Sequence, residues 1–97
     1  MRVLPHPKIY SDIDQIMAYS EQIATADLAS DFYAELRRFM KAAAARPNSF
    51  AIRKRDIRRV NLDRFPYHFL FRIVDDGVRV LVVRPHSRHP SLGIRRR

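Results

Sequence analysis

The stretch Arg58–Pro90, RRVNLDRFPYHFLFRIVDDGVRVLVVRPHSRHP, decides the fold of this chain. Two runs within it, Tyr67–Val74 and Val78–Arg84, are rich in the aromatic and β-branched residues that are typical of β-strands. The dipeptide Asp76-Gly77 lies between them and tolerates the positive φ angles of a tight type I′ turn. The stretch therefore predicts an antiparallel hairpin, and Ile57–Leu62 predicts a further strand before it.

A two-residue turn at Asp76-Gly77 would also fix which residues face each other. Its register predicts three facing pairs on the core face: Ile73 with Val80, Phe71 with Val82, and Phe69 with Arg84. Because side chains alternate along a strand, the opposite face would carry His68, Leu70, Arg72, Val74, Arg79, Leu81 and Val83. This mixture of apolar and cationic side chains is unusual for a surface that only meets water.

The first half of the chain has a helical period instead. Apolar residues recur at three- and four-residue spacing from about Lys8 to Ala24, and again up to about Ala45, where Arg46–Ser49 ends the pattern. Thr25 and Asp27 are suitable caps for the second helix. Residues 2–4 fit a short opening strand, and residues 50–55 fit either a strand or a loop. We expect one α+β domain over residues 1–97, of order β-α-α-β-β-β, with an antiparallel helical hairpin packed on one face of a small antiparallel sheet.

Composition and charge narrow the class of protein. The chain has no cysteine, which excludes disulfides and thiolate sites, and no apolar run approaches the roughly 20 residues that span a bilayer, so we expect a cytoplasmic protein. Residues 1–45 carry five Lys/Arg and six Asp/Glu, whereas residues 46–97 carry fourteen and four. This asymmetry indicates a nucleic acid or an acidic protein as partner, although a solubility effect would give the same composition. Residues 94–97 are expected to form a mobile basic tail.

The sequence lacks the patterns of conventional hydrolases: it has two glycines and therefore no phosphate loop, no activated serine arrangement and no metal-ligand spacing. We expect no metal and no cofactor. Cleavage of RNA by attack of its own 2′-hydroxyl needs only a base for that hydroxyl, a cation for the phosphate and an acid for the leaving oxygen. Histidine and arginine can supply all three. The candidate catalytic residues are His86, Arg88, His68 and Arg59. The candidate phosphate-binding residues are Arg53, Lys54, Arg55, Arg58, Arg64 and Arg84; solvated or hydrogen-bonded surface residues are the alternative for each.

The order of elements and three short motifs resemble the RelE/ParE superfamily of toxins from bacterial type II toxin–antitoxin (plasmid-stabilisation) modules. The motifs are Ile57-Arg58-Arg59, Arg64-Phe65-Pro66-Tyr67 and His86-Ser87-Arg88, and the likeness covers nearly the whole chain. In that pattern Arg59 matches a basic strand position, and His86 with Arg88 matches the basic cluster after the last strand. The chain departs from it at His68, where arginine is common, at Asn61, where a basic residue is common, and in having no tyrosine after Tyr67.

The resemblance implies a growth inhibitor held in check by a cognate antitoxin protein, whose binding residues the sequence does not indicate. RelE-like members cleave messenger RNA on the ribosome, which would make this chain a metal-independent endoribonuclease. ParE-like members instead inhibit DNA gyrase without nuclease chemistry. A degenerate member would bind only its antitoxin and, through that complex, operator DNA. The three alternatives stay open at this point.

Overall fold

Two helices and a five-stranded sheet form the framework of the chain. The computed structural model describes residues 1–97, and its helices and strands follow the α+β order expected from the sequence, with one additional strand. They are β1 (Arg2–Pro5), α1 (Ile9–Tyr19), α2 (Ala26–Ala45), β2 (Ile52–Lys54), β3 (Ile57–Asn61), β4 (Tyr67–Val74) and β5 (Gly77–Pro85). The additional strand, β2, resolves the ambiguity over residues 50–55.

The helix boundaries follow from hydrogen bonds made by short polar side chains. The hydroxyl of Thr25 accepts a hydrogen bond from the Leu28 amide at 3.1 Å, so Thr25 caps α2 as predicted. Helix α1 ends five residues earlier than predicted, because Ser20 is extended and its hydroxyl accepts from the Gln22 amide, starting a separate 3₁₀ turn. Neither helix has the length and apolarity that crossing a membrane requires.

The sheet has the strand order β1-β5-β4-β3-β2 and is mixed, not purely antiparallel as the sequence led us to expect. Strand β1 runs parallel to β5, with Arg2 opposite Gly77. A Cβ atom at Gly77 would collide with the Arg2 carbonyl, so glycine is required for this close approach. The remaining neighbours pair antiparallel.

The predicted hairpin register is wrong. Val74 pairs with Gly77, so the two-residue turn is Asp75-Asp76, and Ile73 faces Val78. A β-bulge at Leu81 then adds one residue to β5, after which Phe69 faces Val83 and His68 faces Arg84. A bulge moves every later side chain of its strand to the other face. Arg84 consequently leaves the face on which the predicted register placed it.

The sheet buries apolar side chains on both faces. The main core lies between the helices and one face, and includes Phe32 and Leu36 of α2 with Phe69, Phe71 and Val83 of the sheet. The outer face, which points away from the helices, carries a smaller cluster of Ile57, Leu70, Leu81 and Val82. Val82 and Val83 have thus exchanged the faces that the sequence predicted for them, because of the bulge.

The segment after β5, residues 86–97, folds back over the outer face. Ile94 packs against the smaller cluster, and Arg96 donates to both carboxylate oxygens of Asp12 in α1, at 2.6 and 3.1 Å. This ion pair is largely buried, with 17% and 12% of the two side chains exposed. The structure therefore attaches residues expected to form a mobile tail. Gly93 allows the contact, since its φ is +79° and a Cβ atom there would collide with Val82.

Replacing Gly93 with alanine is expected to loosen this segment. The substitution adds the left-handed backbone penalty of about 1 kcal/mol to the collision with Val82. Trypsin cleavage after Arg95 and Arg96 should accelerate about tenfold or more, because 1.4 kcal/mol changes the open population by that factor. The exposed Ser87→Ala variant is the control and should be cut at the wild-type rate. Equal cleavage rates in both variants would show that the segment is not held at Gly93.

Candidate functional site

Four cationic or titratable side chains meet at one end of the outer face, beside the beginning of β4. They are Arg59 of β3, His68 of β4, Arg84 of β5 and His86 just after β5, and we call them the histidine–arginine cluster. The cluster brings together three of the four predicted catalytic residues. The bulge at Leu81 is what aims Arg84 at His68, so the cluster depends on a backbone irregularity.

The cluster is a chain of hydrogen bonds. The Nε of Arg84 donates to Nε2 of His68 at 2.8 Å, and Nδ1 of His68 lies 2.9 Å from Nδ1 of His86. An NH2 proton of Arg59 points to the same His86 atom at 3.3 Å. The planes of the two imidazole rings are inclined by only 14° and their centroids are 5.1 Å apart, so the rings lie nearly parallel.

These contacts fix the protons on both histidines. A guanidinium can only donate, so Nε2 of His68 must accept and its Nδ1 must carry the proton. That proton is donated to Nδ1 of His86, which accepts from Arg59 as well. His86 is therefore neutral, with its proton on Nε2. His86 is exposed, and this proton is available as a hydrogen-bond donor to a ligand.

Burial and positive charge keep both rings neutral. Burial, followed by the charges of Arg59 and Arg84 and the neighbouring His86 and Arg53, lowers the pKa of His68 to about 3. Burial and Arg59 also lower the pKa of His86. The pKa values of Arg59 and Arg84 are lowered too, first by burial and then by neighbouring cations. No carboxylate accepts a hydrogen bond from the side chains of the cluster, so the site favours an added anion.

Stability should depend on pH through His68. In the unfolded chain its pKa is near 6.5, and folding lowers it to about 3, so the unfolded state binds more protons between these values. The free energy of unfolding is thus complete above pH 6.5 and is expected to fall by about 1.4 kcal/mol per pH unit as the pH decreases towards 4. Urea unfolding of wild type and His68→Gln across this range measures the difference, and parallel pH profiles would contradict it.

Asn61 belongs to the site, although the sequence did not predict a role for it. Its Oδ1 accepts from the Nε of Arg59 at 2.7 Å, which holds the guanidinium over the cluster. The register Asn61↔His68 places both side chains on the outer face. The sequence did mark this position, because Asn61 stands where the RelE/ParE pattern commonly has a basic residue. An amide on a strand, however, does not by itself indicate which side chain it orients.

Arg84 has a structural role in addition to its place in the cluster. Its side chain is buried, and NH1 donates to the carbonyl oxygens of His89, Pro90 and Leu92 at 3.4, 2.8 and 2.6 Å. The guanidinium therefore anchors the segment after β5 to the sheet. It does not lie open to solvent in the way that the predicted phosphate contact requires.

The other predicted residues lie outside the cluster, in three surroundings. Arg58 points to the helix side and donates to the Phe50 carbonyl at 2.7 Å, and Arg64 forms a 2.8 Å ion pair with Asp31 of α2. Arg88, predicted as catalytic, takes part in none of the cluster's hydrogen bonds; it lines a cleft with α1 and Arg84 and makes no side-chain hydrogen bond or ion pair. The remaining three are exposed at or just after β2: Arg53, whose charge reaches the cluster, and Lys54 and Arg55, which border a groove further along the sheet.

The cluster as a whole can hold an anion and stabilise negative charge. It offers the guanidinium of Arg59 and the Nε2 proton of His86 to a ligand, while His68 and Arg84 keep those groups in place from beneath. His68 is only 1% exposed and both its nitrogens are engaged, so it positions His86 and does not itself exchange protons with a ligand. Comparison of the chain with protein-family models and with curated proteins gave no match.

Proposed function

We propose that the chain cleaves RNA by promoting attack of a 2′-hydroxyl on the adjacent phosphate. The observation that carries this proposal is the pairing of Arg59 and His86, two hydrogen-bond donors held at one point of the outer face with no carboxylate beside them. A phosphate oxygen is a better acceptor for Arg59 than the neutral ring of His86 at 3.3 Å, because it carries a negative charge and its geometry allows two parallel hydrogen bonds from the guanidinium.

The reaction needs no group that the cluster cannot provide or water cannot supply. The 2′-oxygen attacks phosphorus and the bond to the 5′-oxygen breaks, giving a 2′,3′-cyclic phosphate and a 5′-hydroxyl. Arg59 and the Nε2 proton of His86 stabilise the charge that develops on the phosphoryl and leaving oxygens. Water takes the 2′-hydroxyl proton and returns one to the leaving oxygen. Catalysis is therefore mainly electrostatic, because both nitrogens of His68 are engaged within the cluster and Nδ1 of His86 already accepts from His68 and Arg59.

We further propose that the chain is a RelE/ParE-like toxin that acts on ribosome-bound messenger RNA. The α+β order of elements and the motifs around Arg59, Tyr67 and His86 support this assignment. An antitoxin with acidic and apolar residues would mask the basic outer face, and operator DNA would be bound only through that complex.

Induced expression with RNA sequencing and gyrase supercoiling assays in parallel tests the proposal. We expect fragments of translated messages, normal supercoiling, and relief of toxicity by His86→Ala, whereas Arg88→Ala should retain most of the toxicity because Arg88 lies outside the cluster. Intact messages in growth-arrested cells with inhibited gyrase would favour the ParE-like alternative instead. Normal growth with intact messages would favour a member that only binds its antitoxin.

A further inference from the structure

A second cationic feature lies on the outer face, at the opposite end from the histidine–arginine cluster. Here Lys54 at the end of the edge strand β2, with Arg55 directly after it, faces Arg95 and Arg96 of the terminal segment across a groove of about 640 Å³. Arg72 of β4 forms part of its wall. We call this the basic groove. Ile94 lies on its border, packed against the smaller apolar cluster.

The acids near the basic groove leave most of its charge unneutralised. Asp56 lies 3.5 Å from Arg72, and Asp12 is occupied by Arg96. Lys54, Arg55 and Arg95 form no ion pair, although all three are exposed around one concavity. Concentrating like charges in this way is unfavourable unless an anion neutralises them.

The sheet itself contains a further pair of like charges near the basic groove. Arg72 and Arg79 face each other directly across β4 and β5, an arrangement of like charges that destabilises an antiparallel pair. The Nε of Arg72 is also buried without a hydrogen-bond partner. Arg79 is accounted for within the protein, since it donates to the carbonyl oxygens of Pro5 and Arg97 at 3.3 and 3.2 Å. Arg72 instead lines the basic groove, with Asp56 at 3.5 Å as its one counter-charge.

The groove is a built feature, because the docked terminal segment supplies one of its walls. The Arg96–Asp12 ion pair and the Gly93 contact with Val82 hold that segment against the sheet. Arg72 is four residues along β4 from His68, which at about 3.3 Å per residue is about 13 Å, a distance that a few nucleotides span. Both features lie on the same face.

We propose that the basic groove binds consecutive phosphates of single-stranded RNA that extends from the histidine–arginine cluster. The inference rests on the proposed function for the identity of the polyanion. The groove presents flexible Lys and Arg side chains and no exposed aromatic ring, so it tracks the backbone and does not read bases. It extends the binding site beyond the scissile phosphate.

Binding of fluorescently labelled 2′-O-methyl RNA, which lacks the attacking hydroxyl, tests the groove without cleavage. Oligomers of about 4 and about 16 nucleotides cover the usual range of single-strand site sizes. Wild type should bind the longer oligomer more tightly. The Lys54→Gln/Arg95→Gln variant should lose much of that advantage, and its salt dependence, the slope of log K against log salt, should fall by about 1.4, since each lost phosphate contact removes about 0.7.

The matched control is Arg37→Gln/Lys41→Gln, which removes the same charge from the exposed face of α2. It should keep the wild-type slope and length dependence. An unchanged slope in the groove variant, an equal loss in the control, or tighter binding of double-stranded DNA of the same length would each overturn the proposal. Because this probe cannot be cut, the binding result does not depend on whether the protein cleaves RNA, and the two proposals can fail separately.

Discussion

Replacing Arg59 with glutamine is expected to lower the rate of RNA cleavage by about 10²- to 10³-fold, the usual effect of removing one donor from a preorganised anion site. Arg59 is half-buried, its guanidinium lies 3.3 Å from Nδ1 of His86, and Asn61 orients it. Its charge is therefore placed where the phosphoryl oxygens become more negative. Single-turnover cleavage of a ribosome-bound message measures the loss.

The control for this experiment is Arg37→Gln, which removes one exposed arginine of α2, far from the outer face in the fold. It should cleave at the wild-type rate, because we attribute the loss of cleavage in Arg59→Gln to the position of that guanidinium and not to a lower net charge. Unfolding midpoints of both variants should stay near that of wild type. If Arg59→Gln cleaves as fast as Arg37→Gln, the cluster is not the catalytic site.

Replacing Arg84 with methionine is expected to destabilise the fold by at least about 3 kcal/mol, since four buried or half-buried acceptors lose their donor at about 1–3 kcal/mol each. This is a large part of the roughly 5–15 kcal/mol that stabilises a typical domain. Urea unfolding gives the change in free energy. The exposed Arg88→Met variant is the control and should unfold at the wild-type midpoint.

Arg84→Met has a second expected effect on the neighbouring ring. Removing the guanidinium takes away the donor that occupies Nε2 of His68 and one of the charges that lower its pKa. The pKa of His68 should therefore rise from about 3 towards its ordinary value of 6.5, as followed by NMR in the folded fraction. A stable variant with an unchanged His68 pKa would contradict the role assigned to Arg84.

Much of the fold could be predicted from local sequence patterns. The strands of the hairpin, the Thr25 cap and the end of α2 near Arg46 all follow from residues that are neighbours in sequence, so they were predictable. The parallel pairing of β1 with β5 was not, because it joins residues about seventy-five positions apart and its one requirement is the missing side chain of Gly77. A glycine next to a turn is already explained by the turn, so the sequence does not indicate that the same glycine also permits the close approach of β1.

The register error has a similar cause and matters more for the site. The run Val80–Val83 contains no glycine or polar residue to mark a bulge, and any of its members fits either face. Without the bulge at Leu81, the pairing of Ile73 with Val78 would continue to Tyr67 and Arg84, and Arg84 would lie on the core face, where the sequence led us to expect it. With it, Arg84 faces His68 and completes the cluster. His68, Arg59 and His86 were identified from residue type, but their hydrogen-bonded order required the true register.

The most direct test of the central claim is the chemistry of the RNA ends. Wild-type protein incubated with ribosomes and a translated message should leave 2′,3′-cyclic phosphate and 5′-hydroxyl ends, and a single 2′-deoxy substitution at the cleavage position should abolish cutting there. Arg59→Gln should leave the same message intact over the same time. Fragments ending in 3′-hydroxyl groups, or cleavage that persists at the 2′-deoxy position, would contradict attack by the 2′-hydroxyl at the histidine–arginine cluster.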